Sequence, residues 1–132
     1  MNIFKKHFIR YQSPAIVWAL VIFILSSLPD IPGPRLNVRF EDKLDHIVAY
    51  AILGFLICRA LWYQSRFPGW RQAYARAALI LGILYGISDE FHQAFIPGRF
   101  SDPWDVLADA IGILLGVVIF KFLLAKTTQT ES

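Results

Sequence analysis

Apolar residues fall into four long runs, and the polar positions between them decide what each run can be. The first opens after the basic, aromatic start Met1 to Gln12, with Pro14, and continues to Leu28 as P-A-I-V-W-A-L-V-I-F-I-L-S-S-L. Proline suits the first turn of a helix, and Pro29, Pro32 and Pro34 end the segment. Counted from Tyr11, such a helix is about 27 Å long, a slightly short but workable membrane span. A second run, from Asp42 to Tyr63, ends in Trp62 and Tyr63, an interfacial pair, with Arg59 close enough to the end to snorkel. Between these two, Asp30 to Glu41 is a proline-broken, mixed-charge connection. The third helix is expected from about Gln72 to Ala94, after an Arg-rich loop from Gln64, and the fourth from about Pro103 to Leu124, followed by a polar tail. The pattern predicts an all-α membrane protein, one domain over residues 1–132, with four transmembrane helices in a compact bundle.

One stretch breaks the apolar rhythm. Ser88 to Asp109 packs Asp89, Glu90, His92, Gln93, Arg99, Asp102, Asp105 and Asp109 between the apolar runs Ala77 to Ile87 and Ala110 to Phe120. Ionisable groups at a membrane boundary are costly, so they mark a site or pair with one another. Helical spacing sorts them into stripes. Asp42, His46, Tyr50 and Gly54 form one on the second helix, with Lys43 beside it. On the third, Gly82, Tyr85, Gly86, Asp89, His92 and Gln93 share a sector; on the fourth, Asp102, Asp105, Asp109, Gly112 and Gly116 line up. Gly82-x-x-x-Gly86 and Gly112-x-x-x-Gly116 are small-x-x-x-small motifs that predict close approach of the third and fourth helices, antiparallel about Pro97–Gly98, with Asp89 facing Asp109.

Charge changes this picture by giving it a direction. Of the 13 Lys and Arg residues, nine fall on the side of the N-terminus across four spans, and Arg35, Arg39, Lys43 and Arg99 fall on the other. The positive-inside rule then puts both termini in the cytoplasm and the acids, Glu131 aside, outside. It also accounts for the formal charge of +3 without invoking nucleic acid. A basic start and a short apolar run resemble a secretory signal peptide, but no small-x-small cleavage site follows and three further runs demand a membrane protein. Composition agrees, with 56 % hydrophobic residues. Cys58, the single cysteine, rules out an internal disulfide or thiolate cluster.

Acid, histidine and cation in one outward region suggest two chemistries. Asp89 or Glu90 as general base, His46 as proton shuttle, and Arg99 or Lys43 as phosphate clamp would make a membrane enzyme. Asp42, Lys43, Tyr50, Gln93, Arg99, Asp105 and Asp109 would otherwise line a binding cleft. A third possibility is purely structural: the carboxylates pair with Arg99, Lys43 and His46 and pin helices together. For metal the pattern is weak. There is no H-E-x-x-H, and His46 and His92 with Asp89 are the nearest to a ligand set, so no metal or cofactor is expected.

D-K-L-D-H-I-V-A-Y-A-I-L-G, followed by S-D-E-F-H-Q-A-F-I-P-G-R-F-S-D-P-W-D-V-L-A-D-A-I-G-I-L-L-G, resembles the VanZ-like family, small four-helix membrane proteins named for an accessory determinant of teicoplanin resistance. The resemblance covers Asp42 to Gly116 and rests on D-K-x-x-H-x-x-x-Y, D-E-x-x-Q-x-F-x-P-x-R and D-x-x-x-[N]-x-x-G. It implies that Asp42, Lys43, His46, Tyr50, Asp89, Glu90, Gln93, Arg99, Asp105 and Gly112 hold the family's positions. Asp109 stands where the family pattern has Asn and adds a negative charge. The family brings no settled reaction. The expectation is therefore a multi-pass protein of the cytoplasmic membrane whose outward acidic cleft binds or acts on a lipid-linked precursor, a lipid headgroup or an amphipathic antibiotic, with membrane lipids as partners.

Overall fold

A computed structural model describes residues 3–29 and 38–130. The side chains of Asp30, Arg35, Arg39 and Glu131, which entered the charge count above, lie outside the described residues, as does most of the connection from Asp30 to Glu41. Among the described residues all regular structure is helical: α1 (Ile3–Tyr11), α2 (Ser13–Ser26), α3 (Val38–Tyr63), α4 (Pro68–Gln72), α5 (Tyr74–Gln93) and α6 (Pro103–Thr130). Two of these, α3 and α6, are long and apolar enough to cross a membrane, and α1 with α2 makes a third if the pair is one span bent by 43°.

The six helices follow the four expected runs, with differences at their ends. The N-terminal segment is itself helical up to Tyr11, and the bend comes just before Pro14, which sits in the first turn of α2. Arg59 donates to the carbonyl of Arg10, and Tyr11 stacks on Tyr63 at 4.4 Å, so the end of α1 is tied to the end of α3. The third helix, α5, lies close to its expected bounds, and the segment expected as an Arg-rich loop holds the short α4, which Pro68 starts. The fourth runs past Leu124, because the polar tail up to Thr130 contains neither glycine nor proline. α5 is not long and apolar enough by itself to count as a span. Arg76 lies in its first turn and Asp89 and Glu90 in its last, leaving an uncharged stretch of roughly 18 Å, too short for a bilayer core unless protein shelters the charged end.

Glycine sets the packing. α3 and α6 run parallel: Gly112 lies against Ile47 and Ala51, and Gly116 against Ala51 and Phe55. A Cβ on Gly112 would stand 2.5 Å from the Ile47 carbonyl oxygen, and one on Gly54 2.6 Å from that of Ile113. Hydrogen atoms there let two backbones touch. The expected pairing of the two glycine motifs is therefore corrected. Gly112 and Gly116 serve the α3 crossing, while Gly82 and Gly86 on α5 make room for the α6 side chains Ile113 and Asp109.

Around this crossing lies a core of Tyr50, Leu53, Cys58, Ala78, Ile113, Val117 and Phe120. At one end, Phe55, Phe120, Tyr74 and Trp62 form a chain of edge-to-face rings. At the other end the buried residues turn polar: Ser26, Asp89, Glu90, Gln93, Asp105 and Asp109. Meanwhile Ile16, Leu20, Ile80, Leu84, Leu114 and Val118 are exposed. Apolar outside and charged inside is the arrangement expected when the solvent is lipid.

Candidate functional site

The polar end is assembled from four places: the last turn of α2, the first turns of α3, the last turn of α5, and the loop that leads into α6. That loop reverses at Ile96-Pro97-Gly98-Arg99. The Arg99 N–H donates to the Ile96 carbonyl at 3.1 Å, and Gly98 has φ 80°, as a turn with proline second and glycine third requires. Asp102 then starts α6 by accepting from the Trp104 N–H at 3.0 Å, with Pro103 beginning the helix.

Each candidate side chain has a definite place. Asp89 accepts from three donors: Ser26 Oγ at 2.6 Å, Tyr50 OH at 3.2 Å and Gln93 Nε2 at 3.4 Å. His46 Nδ1 meets Asp109 Oδ1 at 2.8 Å. Glu90 Oε2 accepts from the backbone N–H of Asp102 at 3.1 Å. Lys43 binds Asp105 and, at 2.8 Å, Asp102, with Asp42 at 3.8 Å. Arg99 donates from Nε to the Leu28 carbonyl at 2.8 Å and from Nη2 to that of Leu25 at 3.0 Å, closing the C-terminal end of α2.

These partners revise several roles. Asp109 was expected to face Asp89 across the hairpin; its bonded neighbour is His46 on α3, and Asp89 has its own donors. Arg99 and Lys43 were read as phosphate clamps, yet the first is spent on helix carbonyls and the second on two carboxylates. His92 was grouped with His46 and Asp89. It instead meets Ser27 Oγ at 2.9 Å and stacks on Phe23 at 4.7 Å. The group that does converge is different. One donor atom each from His46, Glu90 and Asp109 lie within 4.8 Å of one another, and Asp42, His46 and Asp105 form a second such group.

Beside the network is a cavity of about 830 Å³, within the size range of small-molecule sites. Its polar end is lined by Asp42, Asp45, His46, Tyr50, Asp89 and Gln93, with Arg99, Phe100, Asp102 and Asp105 at the loop; its apolar flank is Trp18, Val21, Ile22 and Leu25 of α2 facing Leu44, Val48 and Ile52 of α3. Glu90 and Asp109 are buried and do not line it. α2 is fastened to α3 at the cavity by Trp18 Nε1 donating to the Ala49 carbonyl at 2.8 Å, and to α5 by Tyr85 OH donating to the Ala19 carbonyl at 2.6 Å. Ser26, Ser27 and Trp18 were not among the sequence candidates. The two serines that close an otherwise apolar run before Pro29 were the available signal.

A family model described as VanZ/LLP1 matches residues 3–124. An uncharacterized protein of Schizosaccharomyces pombe is 28 % identical over 100 residues, covering 76 % of this chain and 58 % of that protein. The chain thus spans little more than half the length of this curated relative. No solved structure matches.

Proposed function

This chain belongs to the VanZ/LLP1 family, and on that premise we propose that it is a multi-pass protein of the cytoplasmic membrane that holds an amphipathic envelope lipid in the cleft between α2 and α3. In this reading the chain crosses four times, through α1 with α2, then α3, α5 and α6; both termini are cytoplasmic and the polar end faces outward. The observation that carries it is the two-ended lining of the cavity. Carboxylates, a histidine and a tyrosine lie at one end and an aliphatic wall from two different helices at the other. A headgroup at the first and an acyl chain along the second would satisfy both.

The charge at the polar end narrows the headgroup. Five acids, Asp42, Asp45, Asp89, Asp102 and Asp105, line the cavity against one cation, Arg99, which is engaged by α2 carbonyls, while Lys43 is held by Asp102 and Asp105. An ammonium or hydroxyl-bearing headgroup, as in an aminophospholipid, suits that lining better than a bare phosphate or carboxylate. Likeness to a fungal protein also favours a general membrane lipid over a precursor of a bacterial wall. For catalysis the lining is less suited: Glu90 is not on the cavity wall, and Asp89 accepts three hydrogen bonds that a general base would have to give up.

Mass spectrometry of lipid bound to the purified protein tests this. Val48 is half-exposed on the apolar wall, so Val48→Trp should fill the acyl path without touching the polar end. We expect a specific lipid class enriched over an unrelated membrane protein in the same detergent, and at least several-fold less of it on Val48→Trp. An unenriched and unchanged lipid profile would sink the reading.

A further inference from the structure

The buried network holds two atoms that nothing satisfies. Among the described residues, Glu90 Oε1 and Asp109 Oδ2 have no hydrogen-bond partner, although Glu90 is 3 % exposed and Asp109 is fully buried. Leaving a buried carboxylate oxygen without a donor costs on the order of 1–3 kcal/mol, more if it is charged. Both belong to the group that converges on His46 within 4.8 Å. We propose that His46, Glu90 and Asp109 form a binding site for a divalent transition-metal ion such as Zn²⁺ or Mn²⁺.

Three features support the assignment. An imidazole nitrogen with two carboxylate oxygens is a donor set that borderline first-row ions accept, whereas calcium and magnesium favour oxygen alone. A neutral imidazole and two carboxylates sum to two negative charges, so a divalent ion leaves the buried site neutral, where an uncompensated charge would be most costly. The ligands are also oriented from outside the group: the Asp102 N–H fixes the other Glu90 oxygen at 3.1 Å, as outer partners of metal ligands commonly do. The neighbouring group of Asp42, His46 and Asp105 is a poorer competitor, because Lys43 already holds Asp105. With one ligand each on α3, α5 and α6, an ion would cross-link three helices. Three protein ligands leave a coordination position open, and His46 also lines the cavity. The proposal needs no lipid and stands apart from the lipid reading.

Protein purified in detergent, stripped with chelator, loaded with ZnCl₂ or MnCl₂ and desalted should carry about one ion per chain by elemental mass spectrometry, the stoichiometry of a mononuclear site. Its unfolding midpoint should rise with added metal. Glu90→Gln and Asp109→Asn should each weaken binding by at least about tenfold, a loss that even outer-partner changes reach, while His92→Ala retains the ion. Should the Gln and Asn variants not fold, the parent decides the matter alone: no ion above the chelated control and no midpoint shift overturns the site. Loss of the ion in Asp42→Asn with full binding in Glu90→Gln overturns it too, by placing the ion in the neighbouring group.

Discussion

Asp89 is the residue whose surroundings are most completely specified, since its two oxygens take donors from α2, α3 and α5. The shortest of the three bonds comes from Ser26, and it should matter most. Ser26→Ala is expected to cost about 1.5–3 kcal/mol, the range for a hydrogen bond to a charged group, and Tyr50→Phe about 1 kcal/mol. Chemical unfolding of the detergent-solubilised protein would measure both, and Tyr50→Phe proving the more harmful would show that the longer bond carries the energy. That Asp89, His46 and Asp109 belong to one end of the molecule was legible, because helical spacing puts each on a polar stripe; Glu90 lay on no such stripe, yet it is buried beside them. Their pairing was not legible. A stripe states which side of a helix a carboxyl occupies but not which neighbour it meets, so His46 with Asp109, rather than Asp89 with Asp109, had to come from the tertiary packing. Arg99 shows the same limit: its charge is plain in the sequence, but its two bonds to α2 carbonyls depend on how the turn at Gly98 aims it.

At the level of helices, existence was easier to read than ends. Long apolar runs announce α2, α3, α5 and α6, whereas the α4–α5 break at Ala73 has no marker in Arg71-Gln72-Ala73-Tyr74 that a propensity argument would notice. The small-x-x-x-small motifs announced close crossings but not the partners. Gly112 and Gly116 chose α3, whose Gly54 returns the contact. Because the Gly116 Cβ position is occupied by backbone of Ala51 and Phe55, and backbone cannot swing aside, Gly116→Val should part α3 from α6. Overpacking of this kind costs about 1–3 kcal/mol or more, and a thermal melt in detergent should drop accordingly. Gly69, which has nothing within 4 Å of a Cβ, provides the comparison: Gly69→Ala should melt with the parent.

At the scale of the molecule the polarity is inverted relative to a water-soluble domain: among the described residues, six polar or charged ones are buried at one end and aliphatic side chains are exposed along the flanks. Charge counting added a direction that the fold itself does not carry. Membrane-impermeant maleimide labelling of intact cells tests that direction, because the one native thiol, on Cys58, is buried and should stay silent. Ser101→Cys, in the exposed loop before α6, should react from outside. Thr127→Cys, near the other end of α6, should react only after permeabilisation. The reverse pattern would turn the cleft toward the cytoplasm and remove an envelope ligand from consideration.

The bonds that hold α2 have a consequence for how such proteins diverge. Tyr85 and Arg99 take hold of it by the carbonyls of Ala19, Leu25 and Leu28, which every amino acid supplies. The side chains of Val21 and Leu25 make none of these bonds and can drift without undocking the helix, and they face the cavity, whereas Ile22 is packed in the core and Trp18 and Ser26 hold α2 through their side chains. If the cavity holds a lipid as proposed, inheritance can leave the acidic end untouched while this wall is rewritten for a different acyl length or shape.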